Sequence, residues 1–384
     1  TDIGCRIELN PGHGIKYLRL LVEFQGSILT LKSFLVMSQI PPLISHPSRD
    51  LSQLEQLPKL DDYETWCLKN KWNTKRRLYL EAKLQHKALP VISIIMPVFN
   101  PTITYLKAAL ESLEHQVYTH WELCIADDCS TDPEIRPFLE AYVAGNSRVK
   151  TVFRPNNGHI SAATNTAAEM ATGDYFVFLD QDDTLTPDAL AEVALYIHDH
   201  PGVEVLYSDD DKIDEQGIRF APQFKPDWSP ELLLSFMYFG HLFCIKRELY
   251  HGIGGARVGL EGSQDYDIAL RATEKVSQVG HIPKILYHWR AIQGSTASGG
   301  NEKAYSFSAG IRAVQDALDR RKIKAEAYHP EWAIRAGCGY FTHRFGDTGP
   351  SVGIVIPTKN QVSILSRLLT SLESTTYKNY NIYL

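Results

Sequence analysis

Asp180 and Asp182 stand one residue apart where the apolar run YFVFL (175–179) meets DQDDTLTPD (180–188). Two ionised carboxylates crowded at such a point repel unless a proton or a cation resolves them, and hard oxygen donors at this spacing suit Mg²⁺ or Mn²⁺. An ion held there would neutralise a diphosphate, bound or departing. By itself the Asp-x-Asp pair is a weak motif. Asp183 and Asp188 read more plainly, as a turn residue and as a first-turn helix residue behind Pro187. A further acid, Asp265, lies in LEGSQDYDIALRATEK (260–275), near the start of a helical pattern whose macrodipole favours the ionised form. Such a group can take a proton from a hydroxyl within hydrogen-bond reach, and plain helix capping accounts for it equally well. Asp267, two residues on, reads as structural. In ILYHWR (285–290), His288 could ligate a metal and Trp289 could stack on a sugar or base, although both fit a partly buried strand end.

These groups need elements to carry them. From Pro90 to about Gln278, strand-like runs alternate with helix-like ones: ISIIMP, then YLKAALESLEHQV, WELCIADD, ISAATNTAAEMAT, YFVFLD, PDALAEVALYIHDH and VEVLYSDDD. That rhythm predicts a parallel sheet covered on both faces, with ligands outside the carboxyl ends of its strands. Each predicted strand finishes in polar or acidic residues: Asn100, then Asp127 and Asp128, then Asp180 and Asp182, then Asp209 to Asp211. They are expected to converge on one crevice. No GxxxxGK[ST] and no suitably placed GxGxxG occurs, so a nucleotide held here must be gripped by strand-end side chains and the metal.

The whole chain sets the frame. With 384 residues, 44% hydrophobic and 22% charged, it can bury a full core and has room for more than one domain. Its net charge of −6 offers no global basic field for nucleic acid. The six cysteines show neither CxxC nor a dense disulfide framework, which points to a reducing, cytoplasmic setting. The longest apolar stretch, LLLSFMYFGHLFCI from Leu232, is too short to span a bilayer. ISIIMPVFN (92–100) is echoed by VGIVIPTKN (352–360), and the helix patterns that follow each are echoed too, a period of about 260 residues. Spacing this long indicates duplicated domains, not a solenoid. The expected organisation is a remnant of a small β-rich domain over 1–60, a basic helical linker over 61–89, one α/β domain over 90–335, and a linker with the start of a second copy over 336–384. The chain, beginning at Thr1 and stopping in mid-pattern at Leu384, reads as a piece of a longer protein. The basic segment from Asp61 to Lys87 is read as an ordinary solvated connecting helix; its functional alternative is a surface resting on anionic lipid headgroups, a peripheral contact at the inner face of the cytoplasmic membrane.

Taken in order, SIIMPVFN, CIADDCSTD, NNGHISAATNTA, FLDQDD, YSDDDKID, FKPDWSPELLLS, EGSQDYDIALR and LYHWR resemble glycosyltransferase family 2, and most of all the multi-domain bacterial enzymes that build O-antigen and other surface polysaccharides. The resemblance runs from about 90 to 315 and resumes at 351. It implies a GT-A fold, a Rossmann-like, mostly parallel sheet flanked by helices, and transfer of a sugar from a nucleoside diphosphate donor (UDP- or dTDP-sugar) with inversion. The acceptor it implies is a glycan or a lipid-linked oligosaccharide. By position, Pro97, Val98 and Phe99, with Asn100 closing the strand, match the segment that packs on the nucleotide base. Asp127 matches the acid that reads that base, and Asp128 lies near the ribose. Asp180 and Asp182 match the metal-binding pair, Asp182 most directly, and Asp265 matches the general base, with Gln264 where Glu is more usual. His288 matches a third metal ligand found in part of the family. Trp228, His241, Gln264 and Trp289 are candidates for sugar or acceptor contacts. The Q-x-x-R-W signature of processive members is missing, so addition of one or few sugars is expected.

Two rival functions fit these residues less well. A glycoside hydrolase would use carboxylates but needs neither nucleotide-type strand ends nor a metal pair. A non-catalytic nucleotide-sugar or carbohydrate-binding module would keep the fold and lose the base or the metal acids, and both sets are present.

Overall fold

The computed structural model describes the backbone of residues 4–9, 16–24 and 27–36, and residues 62–291 and 303–384. Residues 37–60, assigned from sequence to the small β-rich domain, and residue 61 of the linker lie outside the described residues. The chain divides into two compact units, Thr1–Lys59 and Leu60–Leu384. In the first, β1 (Gly4–Leu9), β2 (Lys16–Phe24) and β3 (Ser27–Val36) form an antiparallel sheet in sequential order.

The second unit opens with α1 (Asp62–Lys69) and α2 (Thr74–Leu84), two helices where the sequence suggests one. Asn73 is the reason for the break: its side chain accepts from Arg76 N at 3.0 Å, which starts a new helix. The predicted alternation then appears as β4 (Ile92–Val98), α3 (Ile103–Glu114), β5 (Trp121–Asp127), α4 (Ile135–Ala144), β6 (Val149–Phe153), α5 (His159–Met170), β7 (Tyr175–Phe178), β8 (Thr184–Leu185), α6 (Ala189–Asp199) and β9 (Val205–Ile213). After it come β10 (Arg219–Gln223), α7 (Pro230–Ser235), β11 (Phe243–Lys246), α8 (Arg247–Gly252), α9 (Gln264–Thr273), β12 (Val279–Arg290) and α10 (Lys303–Arg320). The chain ends in β13 (Ala325–Tyr328), α11 (Glu331–Ala336), β14 (Thr342–Phe345), β15 (Val352–Val355), α12 (Val362–Glu373) and β16 (Tyr380–Tyr383).

The main sheet runs β6-β5-β4-β7-β11-β9-β12-β8, with β10 on β9. Its first four strands are parallel, as is the β9–β12 pair, while β11 lies antiparallel between β7 and β9. The architecture is therefore α/β with a mostly parallel sheet, the GT-A arrangement. The stretch from Leu232 that looks like one apolar run is divided here into α7, a turn and β11. Strand β4 buries Ile92, Ile94, Ile95, Met96 and Val98, each such side chain contributing about 1.5–3 kcal/mol. Over it lies α5, whose buried Ala163, Ala167 and Ala168 let the helix sit close. A buried carboxylate fixes the far end of the sheet. Burial works against ionisation of Glu122, yet Lys150, Thr172 and Ser93 hold its carboxyl down at about 2.

Near the C-terminus, β13 and β14 pair antiparallel, and β15 and β16 pair parallel as β4 and β5 do. No helix among the described residues is long and apolar enough to cross a membrane.

Candidate functional site

One cleft of about 1030 Å³ opens at the carboxyl ends of β4 and β7. Its lining includes Pro97, Val98, Phe99 and Asp128, then Asp180, Gln181 and Asp182, and also His241, Gln264, Asp265 and Trp289.

The 99–100 turn is held by its own polar groups. Asn100 has φ 43°, a conformation asparagine tolerates, and its Oδ1 accepts from Thr131 N (2.8 Å) and Asp132 N (3.1 Å). Asn100 thus pins the loop after β5, and its side chain is spent within the protein. Asp127 accepts from Ser130 N at 3.1 Å through one oxygen, while the other, Oδ1, is buried with no hydrogen-bond partner. Asp128 accepts from Gly158 N at 3.0 Å and pairs with Arg154 at 3.1 Å, so it anchors the start of α5 while lining the cleft. Gln181, unnoticed in the sequence, joins the two loops: Phe99 N donates to its Oε1 at 2.8 Å, and its Nε2 donates to Phe99 O at 3.1 Å.

Asp180 and Asp182 project into the cleft. Burial pushes the Asp180 carboxyl up to about 6; burial and then the charge of Asp180 push Asp182 up to about 6 as well. Asp183 does more than the turn residue expected. It is fully buried, accepts from Tyr287 OH at 2.6 Å and Arg290 N at 2.7 Å, and so ties the acidic loop to the end of β12. Arg290 Nε adds a bond to Asp182 O at 2.8 Å. His241 stacks on Tyr287 with ring centroids 4.4 Å apart, and its Nε2 lies 3.9 Å from Asp180 Oδ2. Ligand atoms of Asp180, Asp183 and His241 fall within 4.8 Å of one another. Each Asp183 oxygen already accepts one hydrogen bond and keeps a further lone pair, so these three residues are the group that could hold a cation, while Asp182 lines the cleft beside them. Burial holds the His241 imidazole below its ordinary value, in the neutral form that ligates metals.

His241 is presented by a turn that depends on a buried ammonium. Lys225 Nζ pairs with Asp210 at 2.6 Å and donates to Ser208 O (2.6 Å), Phe239 O (2.5 Å) and His241 O. Within that turn Gly240 has φ 46°, and a Cβ there would sit 3.0 Å from Asp210 Oδ2.

His288 is not among the residues that line the cleft. Side chains alternate along β12, so Tyr287 and His288 point to opposite faces; His288 Nδ1 lies 2.5 Å from Asp211 Oδ1, and Asp211 also pairs with Arg219 at 2.5 Å and accepts from Tyr63 at 2.5 Å. Burial opposes ionisation of Asp211, but these partners keep its carboxyl below the usual range. Asp209 to Asp211 are likewise inside β9 and not at its end, and protein groups take up their charge: Asp209 meets His281 at 3.0 Å and Asp210 meets Lys225. Only Asp210 of the three lines the cleft.

Across the cleft, Ser263 precedes α9 and Asp265 occupies its first turn, accepting from Tyr266 N at 2.8 Å. Burial raises the Asp265 carboxyl, so it holds a proton more strongly than a free aspartate. Beside it the Gln264 Oε1 is buried without a hydrogen-bond partner. Gly262, at φ 78°, lets this loop approach α10; a Cβ would come 2.7 Å from Ser306 Cβ. Asp267 is structural as expected, bound by Arg257 and by Arg271 at 2.6 Å. Trp289 lines the cleft with Lys212 Nζ 5.0 Å from its ring. Trp228 leans on Phe239 at 5.7 Å, outside the cleft lining, so the structure does not bring it to the site.

Comparison with known proteins adds four findings. The family model described as glycosyl transferase family 2 matches residues 93–261. An uncharacterized protein, y4gI, of Sinorhizobium fredii is 41% identical over 305 residues, 76% of this chain and 32% of that protein. The O-antigen biosynthesis protein RfbC of Myxococcus xanthus is 36% identical over 330 residues, 86% of this chain and 25% of its own length. The chain thus spans a third or less of these curated relatives. Among solved structures, S. aureus TarS 1–349 in complex with UDP-GlcNAc aligns with a TM-score of 0.50 at 20% identity, covering 59% of this chain and 66% of that one, a likeness of fold.

Proposed function

The chain belongs to glycosyltransferase family 2, and from that premise we propose that it transfers a hexose, with inversion, from a nucleoside diphosphate sugar to a hydroxyl of a growing surface polysaccharide or lipid-linked oligosaccharide. The observation that carries this reading is one cleft whose lining brings together Asp180, Asp182, His241 and Asp265.

In this reading Pro97, Val98 and Phe99 pack on the base; Asp127, matched to the acid that reads the base, is buried behind the cleft lining. Asp128 lies toward the ribose. Asp180 and His241, whose ligand atoms gather with those of Asp183, fit a divalent ion, Mn²⁺ or Mg²⁺, and Asp182 adds the second acid of the Asp-x-Asp pair. When bound, such an ion supplies positive charge against the diphosphate. Asp265 takes the acceptor proton, and its raised affinity for protons suits that task. Attack from the face opposite the diphosphate inverts the anomeric centre in one displacement. Gln264 and Trp289 are read as contacts to the sugars. Residues 90–335 form the transferase domain on this account, and 351–384 open a second one.

The test is release of nucleoside diphosphate from UDP- and dTDP-sugars with Mn²⁺ present, compared between the native chain and Asp265→Asn. The reading expects turnover in the native chain and a loss of about 10²–10⁴-fold in the variant. Equal, negligible release from both, with Mn²⁺-dependent nucleotide binding retained, would instead favour a non-catalytic nucleotide-sugar-binding module.

A further inference from the structure

The transferase reading leaves one surface unused. Between Leu68 and Lys87 the chain carries seven lysines and arginines and one carboxylate, Glu81, in a protein of net charge −6. Folded, this segment is more than a solvated connector. Leu80 is buried, with Trp72 and Leu84 packed on the same core cluster. Arg76 pairs with Asp188 at 3.3 Å and donates to Asn70 O at 3.1 Å, which fixes the corner between α1 and α2.

The opposite face of α2 presents Lys75, Leu78, Tyr79, Ala82 and Lys83, spaced i, i+3, i+4, i+7 and i+8, and all five are exposed. Leu78 is 59% and Tyr79 58% exposed, and Leu68, next to Lys69 at the end of α1, is 61% exposed. Arg77 is taken by Glu81 and Lys87 by Asp199, but Lys69, Lys71, Lys75 and Lys83 have no ion pair among the described residues. Lys83 Nζ lies 4.8 Å from the centre of the Tyr79 ring. A merely solvated face has no use for an exposed Leu–Tyr pair, and a face built only for polyanions needs charge without it.

We propose that the α1–α2 face docks the chain peripherally on a bilayer rich in anionic lipid. Leu68, Leu78 and Tyr79 enter the headgroup layer while the flanking ammonium groups reach the lipid phosphates along their flexible stems. Charge complementarity selects this occupant, since uncompensated lysines ring the apolar centre. The proposal does not depend on the transferase reading.

The test is co-sedimentation of the full 384-residue chain with vesicles of phosphatidylcholine alone and of equal parts phosphatidylcholine and phosphatidylglycerol. The chain is expected to sediment only with the anionic vesicles. Lys75→Gln with Lys83→Gln is expected to lower the partition coefficient roughly thirtyfold at low salt, at about one ammonium's attraction per lysine. Leu78→Ser with Tyr79→Ser is expected to abolish the binding that survives raised salt. All four positions are exposed, so unchanged circular dichroism and melting temperature establish that the variants are folded. The proposal is overturned if the native chain ignores anionic vesicles, or if the lysine variant partitions equally. It is also overturned if the Leu/Tyr variant binds vesicles as well as the native chain at every salt concentration, which would mean attraction to polyanions by charge alone. Concentration-dependent dimers that Leu78→Ser dissolves, without vesicle binding, would assign the face to a second copy and overturn it too.

Discussion

Asp180 and Asp182 are costly to keep ionised side by side, and the sign of that cost can be measured. Their folded-state values, about 6, lie above the ordinary 3.8. They therefore favour the folded state most below pH 3.8, and that contribution is lost as pH rises through 6. Without metal, the melting temperature is expected to rise as pH falls from 7 to 5; a flat profile would contradict the burial described. Further acidification protonates Glu122, whose depressed value stabilises the fold only while it stays ionised, so stability then falls. Mn²⁺ competes with the same protons, and its affinity, read by calorimetry, should drop below pH 6. Asp182→Asn should abolish Mn²⁺-dependent stabilisation while leaving the metal-free protein as stable or more so. The two histidines separate cleanly. His241→Ala is expected to weaken Mn²⁺ binding at least tenfold, whereas His288→Ala should leave it intact and destabilise the fold by about 1–3 kcal/mol, because Asp211 loses a partner. The sequence could not distinguish them: His288 sits in a recognisable motif, while His241 reaches Asp180 only through the turn after α7.

At the scale of elements, the alternating strands and helices were legible because β4, β5 and β7 are buried on both faces and read as continuous apolar runs. The antiparallel β11 was not, since it shares one apolar run with α7 and periodicity cannot divide a run that is buried throughout. Helix α4 and strand β6 at the sheet edge also escaped the reading; β6 has only five residues, most of them partly exposed. The acids of β9 looked like strand-end ligands because sequence shows carboxylates but not the Lys225, Arg219 and His281 that come from other elements to meet them. Lys225 is the sharpest case. Burial holds its ammonium below the ordinary lysine value, and four acceptors surround it. Lys225→Met strands Asp210 in the interior and is expected to cost about 3–5 kcal/mol in denaturant unfolding. Adding Asp210→Leu should recover part of that loss.

At the scale of the molecule, stability is spread unevenly. Helix α12 buries none of its residues, and Val355 is 76% and Val362 80% exposed, whereas the central strands are closed to water. Amide hydrogen exchange should therefore be fastest over 352–383 and slowest in β4, β5 and β7, and protection of equal strength in both would refute this contrast. The duplication was visible in sequence, but the bareness of its second instance was not, because an amphipathic pattern shows what a helix could bury and not what lies beside it. The antiparallel β11 carries a last consequence. It is laddered to β7 on one side and β9 on the other, so the half bearing Phe99 and the half bearing Asp265 belong to one uninterrupted sheet. That shared ladder resists clamshell motion around a ligand. Spin labels on α4 and α9 should keep their separation when nucleotide arrives.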